Sequence, residues 1–317
     1  MLSIDLFITL AVGYTAAVLF FFARKLERRS RSVFFVVMSV VVLSSPLLLQ
    51  TDGEIVRCLV VLALLIFLLH MWDLHLDSDR GTRLRLRDYV VFLPDYAWSV
   101  ARVPDDYGIN LPLGRRAGDA ARYVAGLCLV SAVTVGVFQI DWAAYPFLLE
   151  HAAKSTCLAA WIIWAFHANM ALWRLAGAPA ARFTAGNVLW AHSPADFWRR
   201  WNRPMYRWLL ENVYKPAGGR RNPYFATLAA FAVSGLLHEY LLDVSLQYVT
   251  GYVTAFFLLH GCATVLTRRF KPSGRQVVPA VVLTFAFNTL STVLLFVPIS
   301  ERIPFYVNDV PQWLHPW

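Results

Sequence analysis

Eight long apolar stretches, set apart by basic connecting segments, constrain this chain more than any other feature. A membrane-crossing helix needs about 20 mostly apolar residues, because it rises about 1.5 Å per residue across a hydrocarbon layer about 30 Å thick. The stretches run Ile4–Ala23, Val33–Leu49, Ile55–Trp72, Tyr123–Ile140, Ser155–Trp173, Tyr224–Leu242, Tyr252–Leu266 and Val277–Val297. Backbone in lipid must satisfy its own polar groups, so segments of this kind fold as helices. The expected fold is therefore all-α: a polytopic integral membrane protein, one domain over residues 1–317, with about eight transmembrane helices around a central chamber. Only 15% of the residues are charged, against about 25% in soluble domains. Mean hydropathy is +0.51. This composition excludes a disordered chain, a collagen-like repeat and a disulfide scaffold. Cys58, Cys128, Cys157 and Cys262 each lie inside an apolar run with no metal-ligand spacing. They read as small buried hydrophobes, and no metal site is expected.

The net charge is +9, and its placement carries more than its sum. Of 29 lysines and arginines, 26 fall in four segments: Arg24–Ser32, Asp73–Arg122, Arg174–Arg221 and Arg268–Arg275. Arg57, Lys154 and Arg302 are the exceptions. Basic loops stay in the cytoplasm, so the expected topology has all four segments there and both termini on the other side. The host would be a bacterial inner membrane or a membrane of the endoplasmic-reticulum type. The charge is thus a topology signal, and no nucleic-acid partner is expected. The first apolar run has no basic residue before it and five after it, the reverse of a secretory signal, and reads as a retained span. Tyr89–Trp98 is apolar and aromatic but too short to cross, and reads as an interfacial or re-entrant helix.

The third basic segment holds a helix start at Ser193-Pro194-Ala195-Asp196: a capping serine, a first-turn proline and an acid at the positive end of the dipole. On a helical wheel Phe197, Trp198, Trp201, Met205, Trp208 and Leu209 fall in one arc, and Arg199, Arg200, Arg203 and Arg207 in the opposite one. This describes an in-plane helix with tryptophans toward acyl chains and arginines toward phosphate and water. Pro204 cannot bond the Arg200 carbonyl, which predicts a break near Trp201–Arg203. Asn202 lies inside the apolar arc. Either its amide satisfies the carbonyl freed by Pro204, or it faces a polar reaction chamber.

In the sixth stretch Thr227, Phe231, Ser234, His238, Leu241 and Ser245 share one face, a stripe of small and polar groups that suits a protein neighbour better than lipid. His238 lies about 22 Å along this helix at about 1.5 Å per residue, well inside the bilayer. Glu239 beside it is equally out of place. Intramembrane ionisable groups are functional candidates. A neutral imidazole in a low-dielectric site can take a proton from a hydroxyl. The competing reading is structural: an interhelical hydrogen bond from His238 and a pairing of Glu239 with an arginine. His70, His167 and His260 read as structural. Asn288 shares a face with Thr284, Ser291 and Thr292, and either lines the same cavity or joins two helices.

Two segments together resemble the membrane-bound O-acyltransferase family. The first is Phe197-Trp198-Arg199-Arg200-Trp201-Asn202, then Trp208-Leu209 and Asn212-Val213-Tyr214-Lys215-Pro216. The second is Phe231-Ala232-Val233-Ser234-Gly235-Leu236-Leu237-His238-Glu239-Tyr240. The close match covers residues 193–245 and looks most like the wax synthase-like branch, with similarity to the diacylglycerol and sterol acyltransferases. The resemblance implies acyl transfer from acyl-CoA, as co-substrate and without a cofactor, to the hydroxyl of a hydrophobic acceptor in the membrane. A long-chain alcohol is favoured; a sterol, diacylglycerol, glycan or secondary metabolite stays open. It implies His238 as general base without an acyl-enzyme, Asn202 as its partner, and a tunnel that acyl-CoA enters from the cytosol. Trp198, Arg199, Arg200, Trp201, Arg203, Ser234, Glu239 and Asn288 are the candidate substrate-binding positions. Outside the family, His238, Glu239 and Asn288 would suit a transporter's polar relay, and the tryptophan helix a lipid-binding scaffold.

Overall fold

The apolar runs become helices in the computed structural model, which describes residues 4–50, 53–76, 84–95, 111–177 and 182–312. The α-helices are α1 (Ile4–Ala23), α2 (Arg28–Ser44), α3 (Glu54–Leu76), α4 (Leu86–Phe92), α5 (Leu113–Phe138), α6 (Phe147–Leu175), α7 (Pro194–Arg200), α8 (Arg203–Leu209), α9 (Pro223–Leu246), α10 (Tyr252–Thr267), α11 (Val277–Ser291) and α12 (Val293–Ser300). No strand occurs among the described residues. The protein is an all-α, multi-pass integral membrane protein. Among the described residues seven helical segments are long and apolar enough to cross, α11 and α12 together forming the last of them. The expected eighth is α10. Its 16 residues span about 24 Å at about 1.5 Å per residue, less than the hydrocarbon layer.

The chain divides into two compact units. In the first, α1, α2 and α3 pack on one another around Phe20, Leu64, Met71, Tyr89 and Leu93, all under 2% exposed. Gly13 permits the close approach of α1 to α3: a methyl group there would run into Leu64. Tyr89 is buried here, donating to the Ala17 carbonyl at 3.2 Å, while Tyr14 donates to the Val90 carbonyl at 2.7 Å. The Leu86–Phe92 segment is therefore a short helix docked on α1, within the stretch read as interfacial or re-entrant. Tyr96–Trp98 lie outside the described residues. The end of α9, from Tyr240 to Leu246, also belongs to this unit. Its Tyr240 hydroxyl donates to the Leu43 carbonyl at 2.5 Å, and Arg57 donates to the Ser245 carbonyl at 2.8 Å.

The second unit holds α5 to α8, α9 as far as Glu239, and α10 to α12. Its largest helix pair is α5 with α6. They meet at Gly126, where Trp164 occupies the space a side chain would need. Helices in lipid associate by such tight contacts, since lipid tails are as apolar as leucine. Outward faces carry Leu129, Val133 and Val135 on α5 and Val282 and Leu283 on α11, all exposed. None of the four cysteines is buried: Cys128 and Cys262 are exposed and the other two half-buried. The expectation of buried cysteines fails because apolar positions of a membrane helix face lipid as readily as core.

Candidate functional site

The basic segment begins the site as its sequence suggests. Ser193 caps α7, its hydroxyl accepting from Asp196 N–H at 3.1 Å, with Pro194 in the first turn. Asp196 is buried and receives Arg199 and Arg200, each at 2.6 Å, and His192 N–H at 3.1 Å. Burial alone would raise its carboxyl pKa. The two guanidiniums and the amide outweigh that and hold it below the usual carboxylate range. Arg200 also donates to the Asn187 carbonyl at 2.8 Å. Arg203 donates to the Arg199 carbonyl at 2.9 Å and lies over the Tyr206 ring. These arginines are therefore first of all staples of the two short helices.

The predicted break is present, and it is sharper than a kink. Asn202 has φ 43° and ψ 63°, the left-handed region that asparagine tolerates better than most residues. Its Oδ1 accepts from Met205 N–H at 3.2 Å, so Asn202 is the N-cap of α8. The Arg200 carbonyl, released by Pro204, is taken by Ala185 N–H at 2.9 Å, and Arg203 N–H donates to the Phe183 carbonyl at 2.7 Å. Residues 183–185 thus bridge the break. The break leaves that carbonyl with Ala185 N–H as a partner. It also corrects the single amphipathic wheel, because residues 197–200 and 203–209 are separate helices with separate faces. Trp201 stacks on Phe197 at 5.5 Å and meets the edge of Phe183 at 5.4 Å. Trp198 turns into the protein rather than toward acyl chains. Its ring packs against Phe231 at 5.4 Å and Phe257 at 5.7 Å.

On α9, Gly235 is what lets α10 come close: a Cβ there would lie 3.2 Å from both Thr254 Cα and Phe257 Cβ. Gly261 does the same from the other side, against Phe231 Cβ at 2.9 Å. The polar stripe of α9 therefore faces protein, as expected, at Phe231, Ser234 and His238. His238 is half-buried, 4.6 Å from Phe257 between ring centroids. Its Nδ1 lies 2.8 Å from the Ser234 carbonyl. A carbonyl only accepts, so Nδ1 carries a proton, and in the neutral ring Nε2 keeps its lone pair. The bond joins residues four apart in one helix and pins no second helix, which corrects the interhelical reading. Ser234 enters through its carbonyl.

Glu239 is buried and acts elsewhere. It accepts from Gly251 N–H at 2.8 Å, Thr254 N–H at 2.5 Å and the Thr250 hydroxyl at 3.4 Å. A carboxylate on these amides caps α10 at the positive end of its dipole. No arginine is its partner in these bonds, which corrects the expected pairing. Glu239→Ala would strip these amides of their acceptor and is expected to cost about 1–3 kcal/mol of stability. Glu239→Gln, which keeps an acceptor oxygen, is expected to lose under half of that. Thermal unfolding of the two purified variants in detergent measures the difference.

His260, on α10, is 1% exposed. Trp198 Nε1–H donates to its Nδ1 at 2.9 Å, and its Nε2 lies 2.7 Å from Ser291 Oγ. Ser291 in turn donates to the Asn288 carbonyl at 3.0 Å. Asn288 joins this chain through its backbone, and its Oδ1 is buried with no hydrogen-bond partner among the described residues. Trp198 and His238 thus meet on a common ring, Phe257, while Asn288 is tied to Trp198 through His260. Arg199 lies at the surface, its side chain 64% exposed. His260 carries a sequence signal, being ionisable inside an apolar run, but its partner Trp198 lies 62 residues away. Among the described residues no group of three His, Cys, Asp or Glu side chains is placed to hold a metal ion.

The family model of the membrane-bound O-acyltransferases matches residues 133–296, just over half of the chain and all of the helices that build this site. The chain belongs to that family. Among curated members it is 35% identical over 135 residues to an Arabidopsis thaliana protein named "Probable long-chain-alcohol O-fatty-acyltransferase 2", covering 38% of each chain. With the member numbered 3 it shares 41% over 93 residues, 26% of this chain and 27% of the relative. With diacylglycerol O-acyltransferase 1 of the same plant it shares 36% over 55 residues, 17% of this chain and 11% of the other. The matched segment is well under half the length of each of these acyltransferases.

Proposed function

We propose that this protein is an O-acyltransferase that moves an acyl group from acyl-CoA to the hydroxyl of a lipid-like acceptor. The observation that carries the proposal is the 2.8 Å bond from His238 Nδ1 to the Ser234 carbonyl, which in the neutral ring leaves the Nε2 lone pair for a proton. Nε2 takes the acceptor's hydroxyl proton as the oxygen attacks the thioester carbonyl. The tetrahedral intermediate collapses, the carbon–sulfur bond breaks, and the thiolate of CoA receives the proton from the imidazolium. No acyl-enzyme forms. Asn202, its Oδ1 engaged by Met205, would meet the developing oxyanion or the acceptor through its Nδ2 hydrogens. Trp198 and Trp201 shape the space around the thioester. Arg199, Arg200 and Arg203 border a cytosolic approach for CoA. The relatives' names favour a long-chain alcohol as acceptor. The similarity to a diacylglycerol acyltransferase supports a glyceride as the second choice.

The purified protein is expected to release free CoA from acyl-CoA only when a hydroxyl acceptor is present. A panel of long-chain alcohols, sterols, glycerides and sugars, with products read by mass, is expected to give wax-type esters first. A transporter or a lipid-binding scaffold would release no CoA with any acceptor, and that outcome would overturn the proposal.

A further inference from the structure

The bonds around His260 have a fixed direction. An indole N–H can only donate, so His260 Nδ1 accepts from Trp198 at 2.9 Å. The imidazole's one proton is then on Nε2 and is given to Ser291 Oγ at 2.7 Å. The Ser291 hydroxyl, having accepted, donates to the Asn288 carbonyl at 3.0 Å. This ordered chain crosses from α7 through α10 to α11. At its far end it holds one indole. That indole packs on Phe257, the ring on which His238 rests. His260 is enclosed further by Phe256 at 4.3 Å and Phe287 at 4.8 Å, so it is walled off from any substrate.

We infer that His260 is a positioning residue for the reaction at His238: it anchors Trp198, and through Trp198 and Phe257 it sets where the His238 ring stands. This inference rests on the acyltransferase reading. It assigns His260 no contact with substrate and no proton transfer in the reaction. Its requirement is one acceptor and one donor at the right separation. Glutamine can supply both from its terminal amide, and leucine supplies neither. The effect is on orientation, where displacements of about 1 Å cost up to about a hundredfold in rate. It should therefore lie in kcat and leave the KM for acyl-CoA nearly unchanged.

The test uses the full chain, purified in detergent and labelled with 5-fluorotryptophan. The Trp198 fluorine resonance is assigned by its absence in Trp198→Phe. In His260→Leu that resonance is expected to shift, and kcat per folded molecule to fall about ten- to a hundredfold with KM changed less than about twofold. In His260→Gln both are expected to return most of the way to wild type. The double variant His260→Leu/Trp198→Phe is expected to lose no more than the worse single one, because both remove the same bond. A resonance that stays in place in His260→Leu overturns the hydrogen-bond chain. A shifted resonance with unchanged kcat, or double-variant losses that multiply, overturns the positioning role. Wild-type protein that transfers no acyl group to any acceptor overturns the acyltransferase reading, and this catalytic role with it, even where the resonance behaves as expected.

Discussion

His238→Ala is expected to lower acyl transfer by about 10²–10⁴-fold, the usual contribution of a general base, while leaving the amount of protein in the membrane unchanged. The second half of this expectation comes from the structure. The His238 ring bonds the Ser234 carbonyl of its own helix, so removing it frees a carbonyl but unfastens no neighbouring helix. Loss of the ring's packing on Phe257 remains, a modest term for a half-buried side chain. Transfer assays on membranes matched for protein by immunoblot decide the matter. Transfer near the wild-type rate would remove His238 from the mechanism. Equal losses of rate and of protein would reduce it to a packing residue.

The second large effect is expected at Asn202, where one side chain has a structural task and a proposed chemical one. Alanine would lose the cap on α8 and sit in the left-handed region, at about 1 kcal/mol for each. Glycine restores the backbone freedom but not the cap. Aspartate can still accept from Met205 N–H but has no amide hydrogens to give. Asn202→Gly and Asn202→Asp are therefore expected to fold, and both to lose about 10²–10³-fold in kcat, the cost of removing one oxyanion donor. Turnover measured on protein that passes a thermal-stability check separates the two tasks. Near-wild-type turnover in Asn202→Asp would leave Asn202 with its structural task alone.

The sequence discloses those parts of the fold that depend on local pattern. Apolar run length places the long helices, and Pro204 places the break between α7 and α8. A histidine deep in an apolar run marks α9. What it conceals depends on backbone groups, which carry no residue-specific signal. The amide that takes the Arg200 carbonyl belongs to Ala185, an unremarkable residue in a loop. Glu239 finds its acceptor duty in the amides at the start of α10, where the sequence offers only Thr250 and Gly251. The wheel for residues 197–209 assumes one axis, and a single left-handed residue at 202 divides it into two. Trp198 then points where no wheel through Asn202 would send it, into contact with His260. Start positions of the helices differ for a related reason. α5 begins at Leu113, ten residues before its apolar run, because Arg115, Arg116 and Arg122 extend the helix beyond the lipid without breaking it.

The glycines at 235 and 261 also bear on substrate engineering. They bring backbone and Cβ atoms of α9 and α10 into direct contact, so the separation of these two helices is a mechanical stop rather than an adjustable gap. A side chain at either glycine would force the histidine helix and its aromatic wall to shift apart, so residues 235 and 261 set how close the two can stand. Selectivity in this scaffold has to be written in side chains around a fixed frame. Libraries aimed at new esters are best spent on the aromatic positions lining α7 and α10, with the two glycines held constant.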